Sequence, residues 1–155
     1  MTEHTDTEAP LRAHGMGLGP VLGQVQSELT RVMTAAFGAE HIALSYNQIR
    51  VLRRIGALGP TSVSALARAL SYDSGGMTRL LDGLEHLALL QRQPDPSDRR
   101  ALRIVLTPAG EELSGRLITI SERVLARTLS ELSEGERRRL ADYMQRVLRT
   151  LRGMH

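Results

Sequence analysis

Leu102-Arg103-Ile104-Val105-Leu106 alternates its side chains with the period of a half-buried strand. Elsewhere in the chain the apolar residues recur every three or four positions. In front of this run stands Pro94-Asp95-Pro96-Ser97-Asp98-Arg99-Arg100. Neither proline can donate to a ladder, so the segment reads as a loop. A strand needs a partner, and Leu89 to Arg92 is the one within reach. The expected element is a hairpin of Leu89–Arg92 against Ala101–Leu106, with Asp95, Ser97, Asp98, Arg99 and Arg100 at its tip. Thr107 then supplies a helix N-cap and Pro108 the first helical position. Everything around the hairpin must be packed by helices.

The side-chain repertoire agrees. The chain has 155 residues, enough for one domain or one domain with oligomerisation arms. It is 41% hydrophobic but only 3% aromatic, so Leu, Ala, Val and Ile do the packing, which favours helices. It has no cysteine, which excludes disulfides, thiolate metal sites and cysteine nucleophiles and is compatible with a reducing compartment. No apolar run reaches transmembrane length and no charged segment leads into an apolar signal region. A soluble, cytoplasmic protein with no membrane partner is expected.

Charge is unevenly placed. The net charge is +3, and all twenty basic residues are Arg. Met1 to Ile49 carries two Arg against five acids, whereas Arg50 to Arg103 carries nine against five. Coding bias accounts for the choice of Arg over Lys. A basic middle segment is also what a phosphate-binding surface leaves in a sequence.

Residues 1–20 lack periodicity and read as a flexible tail. "GMGLGP" within it has a nucleotide-binding glycine spacing, but no strand precedes it and no βαβ unit surrounds it. From Val21, Leu22, Val25, Leu29, Val32 and Ala36 make one stripe. Ser45 and Gln48 form a capping box for a helix carrying Ile49, Leu52 and Ile55, which should stop at Gly59-Pro60. Leu66, Ala67 and Leu70 mark a short helix, and "SYDS" ends it with Asp73 or Ser74 able to cap the next. That next helix runs through Met77, Leu80, Leu81, Leu84 and Leu87. Two short helices joined by a tight polar turn make a helix-turn-helix pattern, although a plain helical hairpin would look similar. Gly75 and Gly76 in the first turn let a backbone approach a partner closely.

Beyond the hairpin, Leu113, Leu117, Ile120 and Val124 form a stripe continued by Leu125, Leu129 and Leu132. Ser133 and Glu136 form a second capping box before Leu140, Tyr143, Met144, Val147, Leu148 and Leu151. Arg137, Arg138 and Arg139 read as a solvated face. The five histidines, 4, 14, 41, 86 and 155, are scattered, with no two at metal-ligand spacing on one helix. No nucleophile elbow or carboxylate pair is legible. Neither an enzyme nor a bound metal or cofactor is expected.

The order of elements, with Asp98-Arg99-Arg100 in the hairpin and Leu106-Thr107-Pro108-Ala109-Gly110 after it, resembles the MarR family of winged-helix transcription regulators. "DSGGMTRLLDGLE" and "LSYNQIRVLRRI" are similar to family sequence, and the likeness runs from about Leu18 to the C-terminus. Ala88 departs from it, since the family usually has Gly between the recognition helix and the first wing strand. The resemblance implies a mainly α fold with a small β-hairpin wing, a winged helix-turn-helix. It implies a homodimer joined through interleaved N- and C-terminal helices. The expected organisation is a tail (1–20), a dimerisation helix (21–44), a DNA-binding region (45–107) and C-terminal dimerisation helices (108–155). Helix stripes on both sides of the DNA-binding region support a second copy independently, because they are long for so small a chain.

A recognition helix sends its N-terminal residues toward base edges. Here these are Ser74, Gly75, Gly76, Thr78 and Arg79. Arg79 suits guanine and Thr78 suits thymine or phosphate. Ser62, Ser64 and Arg68 on the helix before it are placed for the phosphates of double-stranded DNA. The resemblance implies that Arg99 enters the minor groove while Asp98 and Arg100 pair to brace the loop. It further implies a small aromatic effector between Val32, Met33 and Phe37 of the first helix and Arg50, Arg53 or Arg54 of the second. The expected function is a DNA-binding repressor released by that effector. The rival reading is a helical protein-interaction module that regulates another factor without touching DNA; such a module has no need of arginines on a hairpin tip.

Overall fold

The computed structural model describes residues 17–154. The expected tail up to residue 16, with His4 and His14, and also His155, therefore lie outside the described residues. Helix α1 spans Leu18–Ala39 and so starts three residues before the expected Val21. Gly19 and Pro20 fall in its first turn, where N–H groups have no intrahelical partner and a proline is tolerated. Only Met33 and Phe37 of α1 are buried; Leu18, Val21 and Val25 are more than half exposed.

Helix α2 (Tyr46–Leu58) opens on the expected capping box. The Ser45 hydroxyl accepts from the Gln48 N–H at 3.3 Å, and the Gln48 carbonyl oxygen accepts from the Ser45 N–H at 2.9 Å. It buries Ile49, Val51, Leu52 and Ile55, and it ends at Gly59, whose φ of +81° suits only glycine well. Helix α3 (Val63–Leu70) is capped by Ser62, and α4 (Ser74–His86) by Asp73. Ser71, in the left-handed region, turns the chain between them. Met77, Leu81 and Leu84 of α4 join Leu66 and Ala67 of α3 in the core, while Leu87 lies outside it.

Strands β1 (Leu90–Pro94) and β2 (Leu102–Leu106) pair antiparallel, with Leu90 opposite Leu106 and Pro94 opposite Leu102. The ladder is thus longer than the expected Leu89–Arg92 pairing and takes in Pro94. The Asp95 N–H donates to the Ala101 carbonyl, so the Pro94–Leu102 pair falls at a position where no N–H is required. Leu90, Ile104 and Leu106 face the core, but Leu102 is half exposed because the hairpin has by then left the domain. Thr61 bonds both ways with Ile104 and acts as a one-residue third strand on the other edge.

Helix α5 (Pro108–Thr128) lies across α1 and α2. The α2–α5 crossing is close: a Cβ on Gly56 would stand 1.9 Å from Ser114 Oγ, which itself donates to the Leu52 carbonyl at 3.1 Å. Helix α6 (Glu134–Arg152) starts at the expected Ser133–Glu136 box and buries no residue at all. Arg137 departs from the expected solvated row. Its Nε donates to the carbonyls of Leu129 and Leu132, closing the α5–α6 turn. Arg138 pairs with Glu134 in solvent.

Candidate nucleic-acid interface

The first turn of α4 is organised by Asp73, whose Oδ1 accepts from the Gly76 N–H at 2.8 Å. That hydrogen bond above all holds the Asp73 carboxyl below its ordinary range. A Cβ on Gly76 would come within 3.2 Å of Asp73 Oδ2 and 3.4 Å of the Tyr72 ring. Gly76 thus serves the tight cap as well as any approach to a partner. Ser74, Gly75, Thr78 and Arg79 are exposed on the same turn and a half. The Thr78 hydroxyl donates back to the Ser74 carbonyl at 2.8 Å, which leaves its methyl as the outward feature.

On α3, Ser62 caps through the Ala65 N–H at 3.2 Å, and its hydroxyl lies 3.2 Å from that of Ser64. Both serines and Arg68 are exposed. Among the described residues, Arg68, Arg79, Arg99 and Arg100 have no carboxylate within ion-pair distance. Unpaired guanidiniums of this kind are available for phosphates and base edges.

The hairpin tip differs from expectation in one respect. Asp98 does not pair with the Arg100 side chain; its carboxylate accepts from the Arg100 backbone N–H at 3.0 Å. Asp95 adds a second brace, accepting from the Ser97 N–H at 2.8 Å and the Ser97 hydroxyl at 2.5 Å. These bonds, the hydroxyl first, keep the Asp95 carboxyl below its usual range. Short Asp side chains commonly brace turns through local N–H groups, because the geometry needs no ordering of a long partner. Both arginines are therefore left exposed.

The six residues expected around an effector are not gathered into one slot. Met33 and Phe37 are 3% and 1% exposed and belong to the core of the single chain, whereas Val32 is exposed. Arg50 reaches the Leu70 carbonyl at 3.5 Å, near the end of α3. Arg54 is exposed. Arg53 is half-buried, its Nε enclosed without a partner, and burial lowers its pKa against the opposing pull of Tyr46 and Glu122. Clefts lie elsewhere. One of about 320 Å³ separates α2, β2 and α5 between Ile55, Leu106 and Ile118. Another of about 760 Å³ lies between Arg68 of α3, Tyr72 in the turn after it, and Leu148 and Leu151 of α6.

Arg92 was not singled out from the sequence. It stands on the inward face of β1 and pairs with Asp82 and Glu85 of α4. A charge at an inward position of an alternating strand, with two acids three residues apart on the preceding helix, was the available signal.

Among the described residues no three His, Asp or Glu side chains cluster as metal ligands would, and no helix is long and apolar enough to cross a membrane. A helix-turn-helix whose second helix is capped and exposed over its first turn, with a braced hairpin carrying two exposed arginines, defines a winged-helix DNA-binding protein. The MarR family profile matches residues 44–102. The transcriptional regulator PecS of Dickeya dadantii is 31% identical over 127 residues, covering 81% of this chain and 76% of PecS. The chain belongs to the MarR family of transcriptional regulators. The crystal structure of the transcriptional regulator PA3341 superposes with a TM-score of 0.79 at 27% identity, over 88% of this chain and 98% of that one. BpsR of Bordetella bronchiseptica, whose DNA binding is regulated by 6-hydroxynicotinic acid, shares the fold, with a TM-score of 0.71 at 20% identity over 95% of this chain and 97% of its own.

Proposed function

We propose that this regulator is a homodimeric repressor that lays α4 in the major groove and the hairpin wing in the minor groove of a pseudo-palindromic operator. The observation that carries the reading is where exposed arginines without an ion pair among the described residues gather on the helix-turn-helix and hairpin: Arg68 on α3, Arg79 on α4, Arg99 and Arg100 on the wing. Arg79 reads a guanine, Ser62, Ser64 and Arg68 hold phosphates, and Arg99 enters an A·T-rich minor groove, where the negative potential favours a guanidinium. Ser74, Gly75 and Gly76 allow the close approach, and Thr78 offers a methyl to thymine. Asp98 shapes the tip and Arg100 assists Arg99.

Residues 45–107 form the DNA-binding region in this reading, and residues 21–44 and 108–155 the dimerisation helices, working on chromosomal DNA in the cytoplasm. The exposed apolar side chains of α1 and α6 support a second copy. Release by a small aromatic acid is supported by Arg53, whose enclosed Nε has no acceptor among the described residues and would be satisfied by a carboxylate. In this reading Val32, Met33 and Phe37 of α1 and Arg50 and Arg54 of α2 are the other members of the effector site. Selection of bound fragments from the source genome, followed by sequencing, tests the operator. A pseudo-palindromic consensus is expected; enrichment of no sequence would overturn the reading. Aromatic acids titrated into the complex test the effector: DNA release that Arg53→Met abolishes is expected, and release untouched by that change places the ligand elsewhere.

A further inference from the structure

Among the described residues Arg92 is the one cation paired with two carboxylates. Its Nη2 lies 2.7 Å from Asp82 Oδ1, its Nη1 pairs with Glu85 Oε2, and its backbone N–H donates to Glu85 Oε1 at 3.3 Å. The Arg92 side chain is only 21% exposed, so solvent screens this group less than a surface pair. Asp82 and Glu85 sit one turn apart on the C-terminal half of α4. The group therefore ties β1 to the recognition helix, while Thr61 ties β2 to the lead-in of α3. Past these two ties, and among the described residues, the polar hydrogen bonds of residues 95–101 run within that segment.

We infer that Arg92 is a positioning residue for DNA binding. It does not reach the duplex; with Asp82 and Glu85 it sets the angle of the wing to the recognition helix, so that Arg79 and Arg99 engage their two grooves together. The lever is long enough to matter. A five-residue strand spans roughly 17 Å, so a tilt of about 10° at its root carries the tip about 3 Å, half the roughly 6 Å width of a minor groove. The inference rests on the DNA-interface reading of Arg79 and Arg99.

The test uses the full chain, which has no native cysteine. Nitroxide labels at His86→Cys and Ala101→Cys, spin-diluted with unlabelled protein, report the helix-to-wing distance without DNA. Wild type should give a narrow distribution, and Arg92→Ala and Arg92→Met broad ones. Arg92→Lys, which can satisfy one carboxylate at a time, should fall between. Arg92→Met keeps the stem, and both acids remain open enough to be hydrated, so it should fold. Binding is read on a fluorescein-labelled duplex of the best-enriched genomic fragment. Arg92→Met should weaken it about tenfold, and the loss caused by Arg99→Ala should shrink at least threefold in the Arg92→Met background, as coupled residues require. Identical distance distributions in all four proteins, or losses that simply multiply, would overturn the inference. If the labelled distances respond as expected but wild type binds no duplex, the DNA reading falls and takes the positioning role with it.

Discussion

Ala88 holds φ at +56°, in the left-handed region where a Cβ crowds the following carbonyl. It is the residue that ends α4: its N–H donates to the Glu85 carbonyl and the Leu89 N–H to the Leu84 carbonyl, the paired bonds of a Schellman turn. Ala88→Gly should therefore raise stability by about 0.5–1 kcal/mol, the relief of strain outweighing the extra freedom of the unfolded chain, as thermal or urea unfolding would show. Gly110 has the opposite sensitivity. A Cβ there would stand 1.8 Å from the Leu89 carbonyl oxygen, which also accepts from the Thr107 N–H. Gly110→Ala should cost on the order of 2 kcal/mol or more, because backbone rather than a flexible side chain has to move. Asp73 gives a pH signature. Its folded pKa is depressed from the usual 3.8 by the Gly76 N–H, so its cap stabilises α4 above that value and is lost as pH falls through the lower, folded one. Asp73→Asn should keep most of the cap and flatten the acid limb of the unfolding profile, while Asp73→Ala should lower the unfolding midpoint near neutrality.

At the level of elements, α4 and the wing should fail in different ways. Arg79→Ala should relax base preference at one position in each half-site, at about 1–3 kcal/mol, in a competition assay across sequence variants. Arg99→Ala should lower affinity and flatten the preference for A·T at the flanks. The brace at the tip is made by the Arg100 backbone N–H, not its guanidinium. Arg100→Ala should thus leave the wing ordered, and Asp98→Ala should loosen it, with faster amide exchange over residues 95–101. Equal wing protection in both variants would remove Asp98 from that role.

On the scale of the whole molecule, α6 decides the argument. Leu140, Tyr143, Met144, Val147, Leu148 and Leu151 are all at least a third exposed in one chain, although they repeat at helical spacing. In the proposed homodimer this face would meet a second copy, and twofold symmetry would count each substitution twice. Leu148→Asp should shift sedimentation equilibrium toward monomer and cut operator affinity together. A dimer holding two half-sites roughly 10 bp apart should also lose affinity steeply with salt as counterions are released. A tight monomer on a single half-site would contradict both expectations.

Periodicity and capping chemistry were local, and they were legible in the sequence. The boxes at Ser45–Gln48 and Ser133–Glu136, the Asp73 and Thr107 caps and the alternation of Leu102 to Leu106 each act within a few residues. The helix-turn-helix and its hairpin could be read from them before any packing was known. What the residues alone left open depends on neighbours distant in the chain. Leu102 has the strand period but projects beyond the core. Met33 and Phe37, expected beside a ligand, are enclosed in the core of the single chain. Arg137 sits in a run of charges yet donates to two carbonyls of the α5–α6 turn. Arg92 is one arginine among twenty until the tertiary fold brings β1 across α4 and sets it between Asp82 and Glu85. Side-chain type and spacing determine what a segment is able to form, whereas the geometry that surrounds a charge, and so its work, exists only once the elements have crossed.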